Sequence, residues 1–274
     1  MIMDSPVKIA FFKIKMQIIR PHPSISDYVS NIVVLEEGDL KSSIVIPLIA
    51  RGYPCIAFQT TGSSCIDGKN NVANSLVLYG QNVKPFQFHA SDHITIIAYF
   101  LYPHILKTFF GFGATEVTEL CIDLSQSKPA RKINLLQQLT DEPLLSRRLL
   151  LLNRYVLKLS ELIRTDLDNS ILFATKEIQK RNGLVSLRNL ENELHITERT
   201  FQRLFKLNVG VSPKVFSRIF QFQSAFQQLN SGRNFKLSDI AYENGFADQS
   251  HLNRTFKEFT GCSPGDYLKF SAEF

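Results

Sequence analysis

The chain has 274 residues, 44% of them hydrophobic and 20% charged, a balance that suits a globular protein whose core needs neither disulfides nor structural metals. Its net charge of +6 permits a polyanionic partner without requiring one, and from Arg181 to Phe274 there are only 12 Lys/Arg against 9 Asp/Glu. Bulk basicity is thereby excluded as a source of nucleic-acid binding, which would have to come from placement on a helix face.

The opening run, MIMDSPVKIAFFKIKMQ, lacks a long apolar segment and a small-residue cleavage site, so a signal peptide is not expected. The alternation of Val7, Ile9 and Phe11 predicts a strand. Further strands are predicted at Ser43–Ile49, Cys55–Thr60, Ser75–Tyr79, Phe86–His89 and His93–Leu101, which are rich in Val, Ile, Phe and Tyr and separated by Gly, Asn, Asp and Ser. Asp67-Gly68 suits a hairpin turn, and Pro103–Gly111 a helix. The most apolar stretch, Ile94 to Leu106, is interrupted by Pro103 and His104 and is too short to span a bilayer, so no membrane partner and a cytoplasmic location are expected. Cys55, Cys65, Cys121 and Cys262 form no CxxC pair and lie near no histidines at zinc-ligand spacing; they read as free thiols. His89, His93 and His104 are scattered and read as structural or surface residues.

From residue 131 to 182 the pattern is helical. Leu145, Leu149, Leu152, Val156, Leu159 and Ile163 alternate spacings of four and three, as in a coiled-coil seam, while Leu150, Leu151 and Leu157 widen the apolar surface. Packing on the chain's own core and a homodimer seam both satisfy this pattern.

The last region, 183–274, is helical throughout and repeats itself. Phe201, Arg203, Phe205, Lys206, Gly210 and Ser212-Pro213 recur 51 residues later as Leu252, Arg254, Phe256, Lys257, Gly261 and Ser263-Pro264. Upstream, Leu190 and Ile196 recur 50 residues later as Ile240 and Phe246, so the second copy gains one residue in its turn. Each copy has helix-turn-helix form. Ser186 and Thr197 are placed to cap the two helices of the first copy. In the second, Ser238 begins the first helix, Gly245 supplies a left-handed turn residue and Asp248 caps the next helix. Ser212-Pro213 and Ser263-Pro264 each set a cap before a proline at the first helical position.

Projected at the helical period, the second helix of the first copy turns Phe201, Leu204 and Phe205 inward and Arg199, Gln202, Arg203 and Lys206 outward. Its counterpart turns Leu252, Thr255, Phe256 and Phe259 inward and Ser250, Asn253, Arg254 and Lys257 outward. These are residue types that read or grip DNA, with Arg suited to guanine, Gln and Asn to adenine, and Lys or Ser to phosphate. From Pro213 to Leu229, the residues Phe216, Phe220, Ala225 and Leu229 mark one more helix. Seventeen helical residues span roughly 25 Å, enough for a rod setting two recognition helices about one DNA turn apart, ~34 Å.

At these residues the sequence resembles the AraC/XylS family of bacterial transcription regulators. The run IAYENGFADQSHLNRTFKEFTGCSPGDY, Ile240 to Tyr267, looks like that family's signature, and LENELHITERTFQRLFKLNVGVSPKVF matches in the first unit. The resemblance implies seven helices, two of them recognition helices joined by a linker helix, acting on double-stranded DNA and RNA polymerase at promoters, as activator or repressor. By position it gives Arg199, Gln202 and Arg203 to the first reading face and Gln249, Ser250, His251, Asn253 and Arg254 to the second. Two residues depart from the family pattern: Glu191 stands where a small alanine is usual and calls for a local partner, and Gln221 stands where the linker helix usually has arginine. PHPSISDYV (Pro21–Val29), Val77–Gly80 and FLYPHILKTFFG (Phe100–Gly111) resemble a sensor module found ahead of such domains, which implies a small-molecule effector, dimerisation, or both.

The expected architecture is α+β: a mainly antiparallel, barrel-like β domain with helices at 1–130, a helical segment at 131–182 and an all-α double helix-turn-helix domain at 183–274. No cofactor, metal site or catalytic residue is expected. An enzyme fused to a DNA-binding tail would need a reactive Pro-Cys-His-type site, a metal-binding cysteine cluster, a Gly-rich phosphate loop or a G-x-S-x-G elbow, and the sequence has none. The other alternative, a protein-interaction module, predicts no salt-dependent affinity for DNA.

Overall fold

The computed structural model describes residues 8–9, 15–37, 44–60, 63–66, 69–71, 75–91, 94–161, 169–231 and 235–272. The turn expected at Asp67-Gly68 and residues Val7, Phe11, His93 and Ile163 lie outside them. The first half carries strands β1 (Lys8–Ile9), β2 (Lys15–Ile19), β3 (Val29–Glu37), β4 (Ile44–Leu48), β5 (Cys55–Thr60), β6 (Ser63–Ile66), β7 (Lys69–Asn71), β8 (Ser75–Tyr79), β9 (Phe86–Ser91), β10 (Ile94–Leu101) and β11 (Cys121–Asp123). They form a five-stranded sheet in the order β1-β4-β9-β6-β7 and a six-stranded sheet in the order β11-β8-β5-β10-β3-β2. Every described pairing is antiparallel except β1 with β4.

In the six-stranded sheet the strand period of two divides the faces. Ile56, Phe58, Leu76, Leu78, Ile97, Tyr99 and Leu101 face the main core. Cys55, Ala57, Val77, Tyr79 and Ala98 form a separate buried cluster. After β10, a 3-10 turn at Pro103–Ile105 leads into α1 (Leu106–Phe110), which ends on Gly111 at φ +78°. A second 3-10 turn, Ala114–Glu116, precedes β11.

Helices α2 (Lys128–Lys132), α3 (Leu135–Asp141) and α4 (Leu145–Glu161) lie against the first of these faces, with Leu135, Leu139, Leu152, Tyr155, Val156 and Leu159 buried in the same core. Tyr99 donates its hydroxyl to Leu149 O at 3.0 Å and to Asn153 Oδ1 at 2.8 Å, which fastens α4 to the central strand. The leucine stripe of α4 is therefore spent inside the chain. Leu152, Val156 and Leu159 are fully buried, and Leu145 and Leu149 pack half-buried beside them.

The second half is all helix: α5 (Asn169–Lys180), α6 (Leu187–Glu193), α7 (Glu198–Val209), α8 (Pro213–Leu229), α9 (Leu237–Glu243), α10 (Gln249–Thr260) and α11 (Pro264–Ala272). α5 lies before residue 183, yet it buries Ile171, Ala174 and Ile178 with Leu190, Phe201, Phe205, Val209, Phe216 and Phe220 in one core. α8 belongs to two cores at once. Phe216 and Phe220 stack into the first, with Phe205–Phe216 centroids 5.4 Å apart, whereas Ile219 and Phe222 enter the second, with Phe222–Phe256 at 5.5 Å. Aromatic rings buried on both sides of a single helix tie it to both units at once and make it a bridge between them.

Candidate nucleic-acid interface

The second helix of each repeat, α7 and α10, is fixed at both ends by local chemistry. Thr197 Oγ1 accepts the Thr200 N–H at 3.3 Å and Asp248 Oδ1 accepts that of His251 at 2.6 Å, so both α7 and α10 begin on a capping side chain. Gly210 and Gly261 end the two helices in the left-handed region at φ +93° and +83°, where a residue with a Cβ is strained. Ser186 and Ser212 cap α6 and α8, and Ser263 Oγ accepts the Asp266 N–H at the start of α11. The turns also correspond: Gly245 adopts φ +72°, and His195, fifty residues earlier, adopts φ +53°. Histidine is among the few side chains enriched in that region. One boundary differs from expectation. α9 starts at Leu237, with Lys236 in the cap position making no side-chain cap bond, and Ser238 lies inside the helix donating to Asp239 Oδ1.

On α7, Phe201, Phe205 and Val209 are buried, Arg199, Arg203 and Lys206 are exposed, and Gln202 is half-exposed. On α10, Leu252, Thr255, Phe256 and Phe259 are buried; Gln249, Ser250, Arg254 and Lys257 are exposed, and His251 and Asn253 are half-buried. Among the described residues, none of Arg199, Arg203, Lys206, Arg254 and Lys257 forms an ion pair. His251 Nδ1 accepts the Ala247 N–H at 3.4 Å, and the ring stands edge-on to Phe246 at 5.3 Å. Asn253 is less available than its outward position suggests, because its Oδ1 is buried without a hydrogen-bond partner.

Two residues that sequence reading did not single out orient the second helix. Arg218 on α8 pairs through both terminal nitrogens with the Glu258 carboxylate on α10, and its guanidinium lies 5.6 Å from the Phe259 ring centre. Gln228 on α8 donates to Glu243 and accepts from Asn244 Nδ2 at 2.7 Å, tying the turn after α9 to the bridge. The Glu191 carboxyl is pushed up by desolvation and by Glu198, against the pull of Arg188 one turn earlier, and among the described residues it forms no ion pair. Gln221 lies against two glycines: a Cβ on Gly183 would come 2.9 Å from its Cγ, and one on Gly245 3.4 Å from its Nε2.

Among the described residues, no group of three or more His, Cys, Asp or Glu side chains could hold a metal ion, and no helix is long and apolar enough to cross a membrane. His104 is buried, and the side chain of His89 lies outside the described ones.

Residues 190–269 match the family model described as a helix-turn-helix domain, and residues 17–123 match that of a domain of unknown function (DUF6597). Over 113 residues the chain is 28% identical to an uncharacterized HTH-type transcriptional regulator of Haemophilus influenzae, and the match spans 38% of each chain. Among solved structures it is similar to ToxT from Vibrio cholerae, with a TM-score of 0.52 and 13% identity over 87% of this chain and 97% of that one. ToxT of Vibrio cholerae O395 bound to (E)-4-(8-methylnaphthalen-1-yl)but-3-enoic acid gives a TM-score of 0.51 and 14% identity over 86% and 97%. At these identities the likeness to ToxT is one of fold.

Proposed function

We propose that this chain is a transcription regulator of the AraC/XylS type that binds double-stranded DNA sequence-specifically, setting α7 and α10 into successive major-groove segments. The observation that carries the reading is the pair of helices, each capped by a side-chain oxygen at its start and a glycine at its end, each with exposed cations that form no ion pair among the described residues, held on one bridge whose aromatic residues enter both cores. Seventeen residues of α8 separate the units by roughly 25 Å of helix rise. Arg199, Gln202, Arg203, Gln249, Ser250, His251, Asn253 and Arg254 are the proposed base-reading set. Lys206 and Lys257, near the helix ends, are suited to phosphate. The chain would act in a bacterial cytoplasm, with RNA polymerase as its partner at promoters, and no catalytic role is proposed. A homodimer would use a surface other than the buried stripe of α4.

The amino-terminal domain is the proposed sensor. Arg51 is half-buried, its guanidinium lies 5.2 Å from the Phe100 ring centre, and it forms no ion pair among the described residues. Burial pushes its pKa down, with Cys55 acting the other way. An unpaired guanidinium beside Phe100 and Cys55 suits an effector with an apolar body and a carboxylate. The acid bound in the ToxT structure accords with that chemistry.

The test is selection of duplexes from a random pool by the purified chain, followed by a salt titration on the selected sequence. A linear fall of log affinity with log salt, together with a bipartite selected site, supports the proposal. Absence of binding to every duplex at low ionic strength overturns it and leaves the protein-interaction reading.

A further inference from the structure

Among the described residues the amino-terminal domain touches the helical domain at several points, three of them at α7, α10 and α8, and two of these three are matched positions of the repeat. At the first, Thr118 Oγ1 donates to Ala114 O at 3.0 Å and to Gly210 O at 3.1 Å, at the end of α7. A Cβ on Gly210 would come 2.5 Å from that oxygen, so the glycine is a seat for Thr118. At the second, the segment bearing Pro85 comes to the end of α10: Val83 packs against the core that holds Phe256 and Phe259, and Pro85 Cγ lies 3.7 Å from where a Gly261 Cβ would stand, so that glycine leaves room beside the proline. The third lies on the bridge: Tyr53 packs edge-on to Phe220 at 5.7 Å, a Gly52 Cβ would stand 2.8 Å from that ring, and Gln223 Nε2 donates to Ala50 O at 3.2 Å.

The arms bearing Pro85 and Thr118 are fastened to each other beyond the end of β8. The Gly80 N–H donates to Leu120 O and the Glu119 N–H to Gln81 O, both at 3.0 Å, and Lys84 pairs with Glu119 at 3.5 Å. Gly80 is also a seat, since a Cβ there would stand 1.7 Å from Val117 O. One paired segment of the sheet therefore reaches both recognition helices at the end where each leaves its groove-facing run. Close-packed seats of this kind transmit displacement instead of absorbing it.

We propose that segments 80–85 and 113–120, with the Ala50–Tyr53 turn, form a three-point clamp that sets the pose of one recognition helix relative to the other, so that the amino-terminal domain governs which spacing of half-sites is bound. This rests on the DNA-binding reading above for its consequence, but not for its mechanics. Loosening the clamp relaxes spacing discrimination; it does not abolish contact with each half-site.

The experiment uses the full chain and Thr118→Val, which removes the hydroxyl's single donation, shared between the two carbonyls, and keeps the side chain's shape. The probes are the duplex selected by the wild type and versions with one, two or about five base pairs inserted between the half-sites, the last being half a turn. Amide hydrogen exchange is followed at residues 206–212. The variant is expected to bind the native spacing about threefold to tenfold more weakly, the scale of one lost hydrogen bond. Its penalty for altered spacing should shrink, and exchange at 206–212 should quicken. An unchanged spacing profile and unchanged exchange overturn the clamp. A wild type that binds no duplex overturns the DNA-binding reading, and exchange then decides the clamp by itself. Should Thr118→Val fail to fold, Gln223→Ala, which releases only the contact on the bridge, is held to the same spacing profile, with exchange followed along α8.

Discussion

Arg218 and Glu258 face each other across the gap between the linker helix and the second recognition helix, with side chains 29% and 46% exposed. Exposure on that scale screens the charges, so the pair is worth about 0.5–1 kcal/mol, and a double-mutant cycle on Arg218→Ala and Glu258→Ala should return a coupling of that size that fades in high salt. The larger consequence is orientation: both single variants should also weaken binding to the selected duplex. A coupling of zero with unaltered DNA affinity would show that the aromatic contacts alone hold α10.

Gly210 and Gly261 have the same role and nearly the same backbone conformation, φ +93° and +83°, but different surroundings. A methyl at Gly210 collides with Thr118 at 2.5 Å, whereas one at Gly261 meets only Pro85 at 3.7 Å. Gly261→Ala should therefore cost about 1 kcal/mol, the conformational penalty alone. Gly210→Ala should cost about 1–3 kcal/mol more through the clash. Urea denaturation of the two variants measures the difference. Equal losses would mean that the contact at Gly210 is absent in solution.

Local chemistry is what the sequence made legible. Ser186, Thr197, Ser212, Asp248 and Ser263 act where an oxygen beside the first helical N–H groups must act, and Gly245 stands where the chain turns left-handed; Gly210 and Gly261, legible only as matched positions of the repeat, prove to be left-handed as well. Strands such as Cys55–Thr60 and Ser75–Tyr79 were readable from β-branched and aromatic content. Pairing partners were not, because the parallel join of β1 to β4 and the placement of β11 beside β8 depend on contacts far apart in sequence. The α4 stripe fits a seam and a core equally well until Tyr99 is seen bonding to Leu149 and Asn153. The Thr118–Gly210 contact joins residues 92 apart and has no local signal at all. Asn253 shows the same limit on a smaller scale: its helix position is outward, but its oxygen is covered.

His104 supplies a pH dependence. It is buried and stacked on Tyr102 at 5.9 Å, its Nδ1 has no partner, and its pKa is lowered from 6.5 to about 4, chiefly by burial and then by Lys176. The unfolded chain binds the proton more readily, so this group's contribution to stability is complete above pH 6.5 and is lost as pH falls toward 4. The full effect is on the order of 3 kcal/mol. Denaturant titrations across that window should show the slope, and His104→Phe should flatten it. An identical slope in the variant would assign the acid sensitivity to carboxylates.

Arg51 gives a test of the sensor proposal that needs no promoter. A panel of apolar monocarboxylates, with the matching amides as controls, should include acids that raise the melting temperature of the wild type and not of Arg51→Ala. Saturation at about a hundred times Kd corresponds to roughly 2.7 kcal/mol of added stability. Equal stabilisation by acids and amides, or survival of the effect in Arg51→Ala, would remove the guanidinium from the effector site.

The two sets of outward residues on α7 and α10 should separate by function. Replacing Arg203 or Arg254 with Ala removes a planar donor pair suited to one base, so each should cost about 1–3 kcal/mol and relax preference at one position of the selected site. Replacing Lys206 or Lys257 removes a point charge, so affinity should fall evenly across sequences and the slope of log affinity against log salt should drop by about one. Because Arg203 lies on the first unit and Arg254 on the second, the relaxed positions should fall in different half-sites about one turn apart. Selection repeated with each variant reads this directly. Relaxation of the same position by both arginine variants would mean that the two helices do not occupy successive grooves.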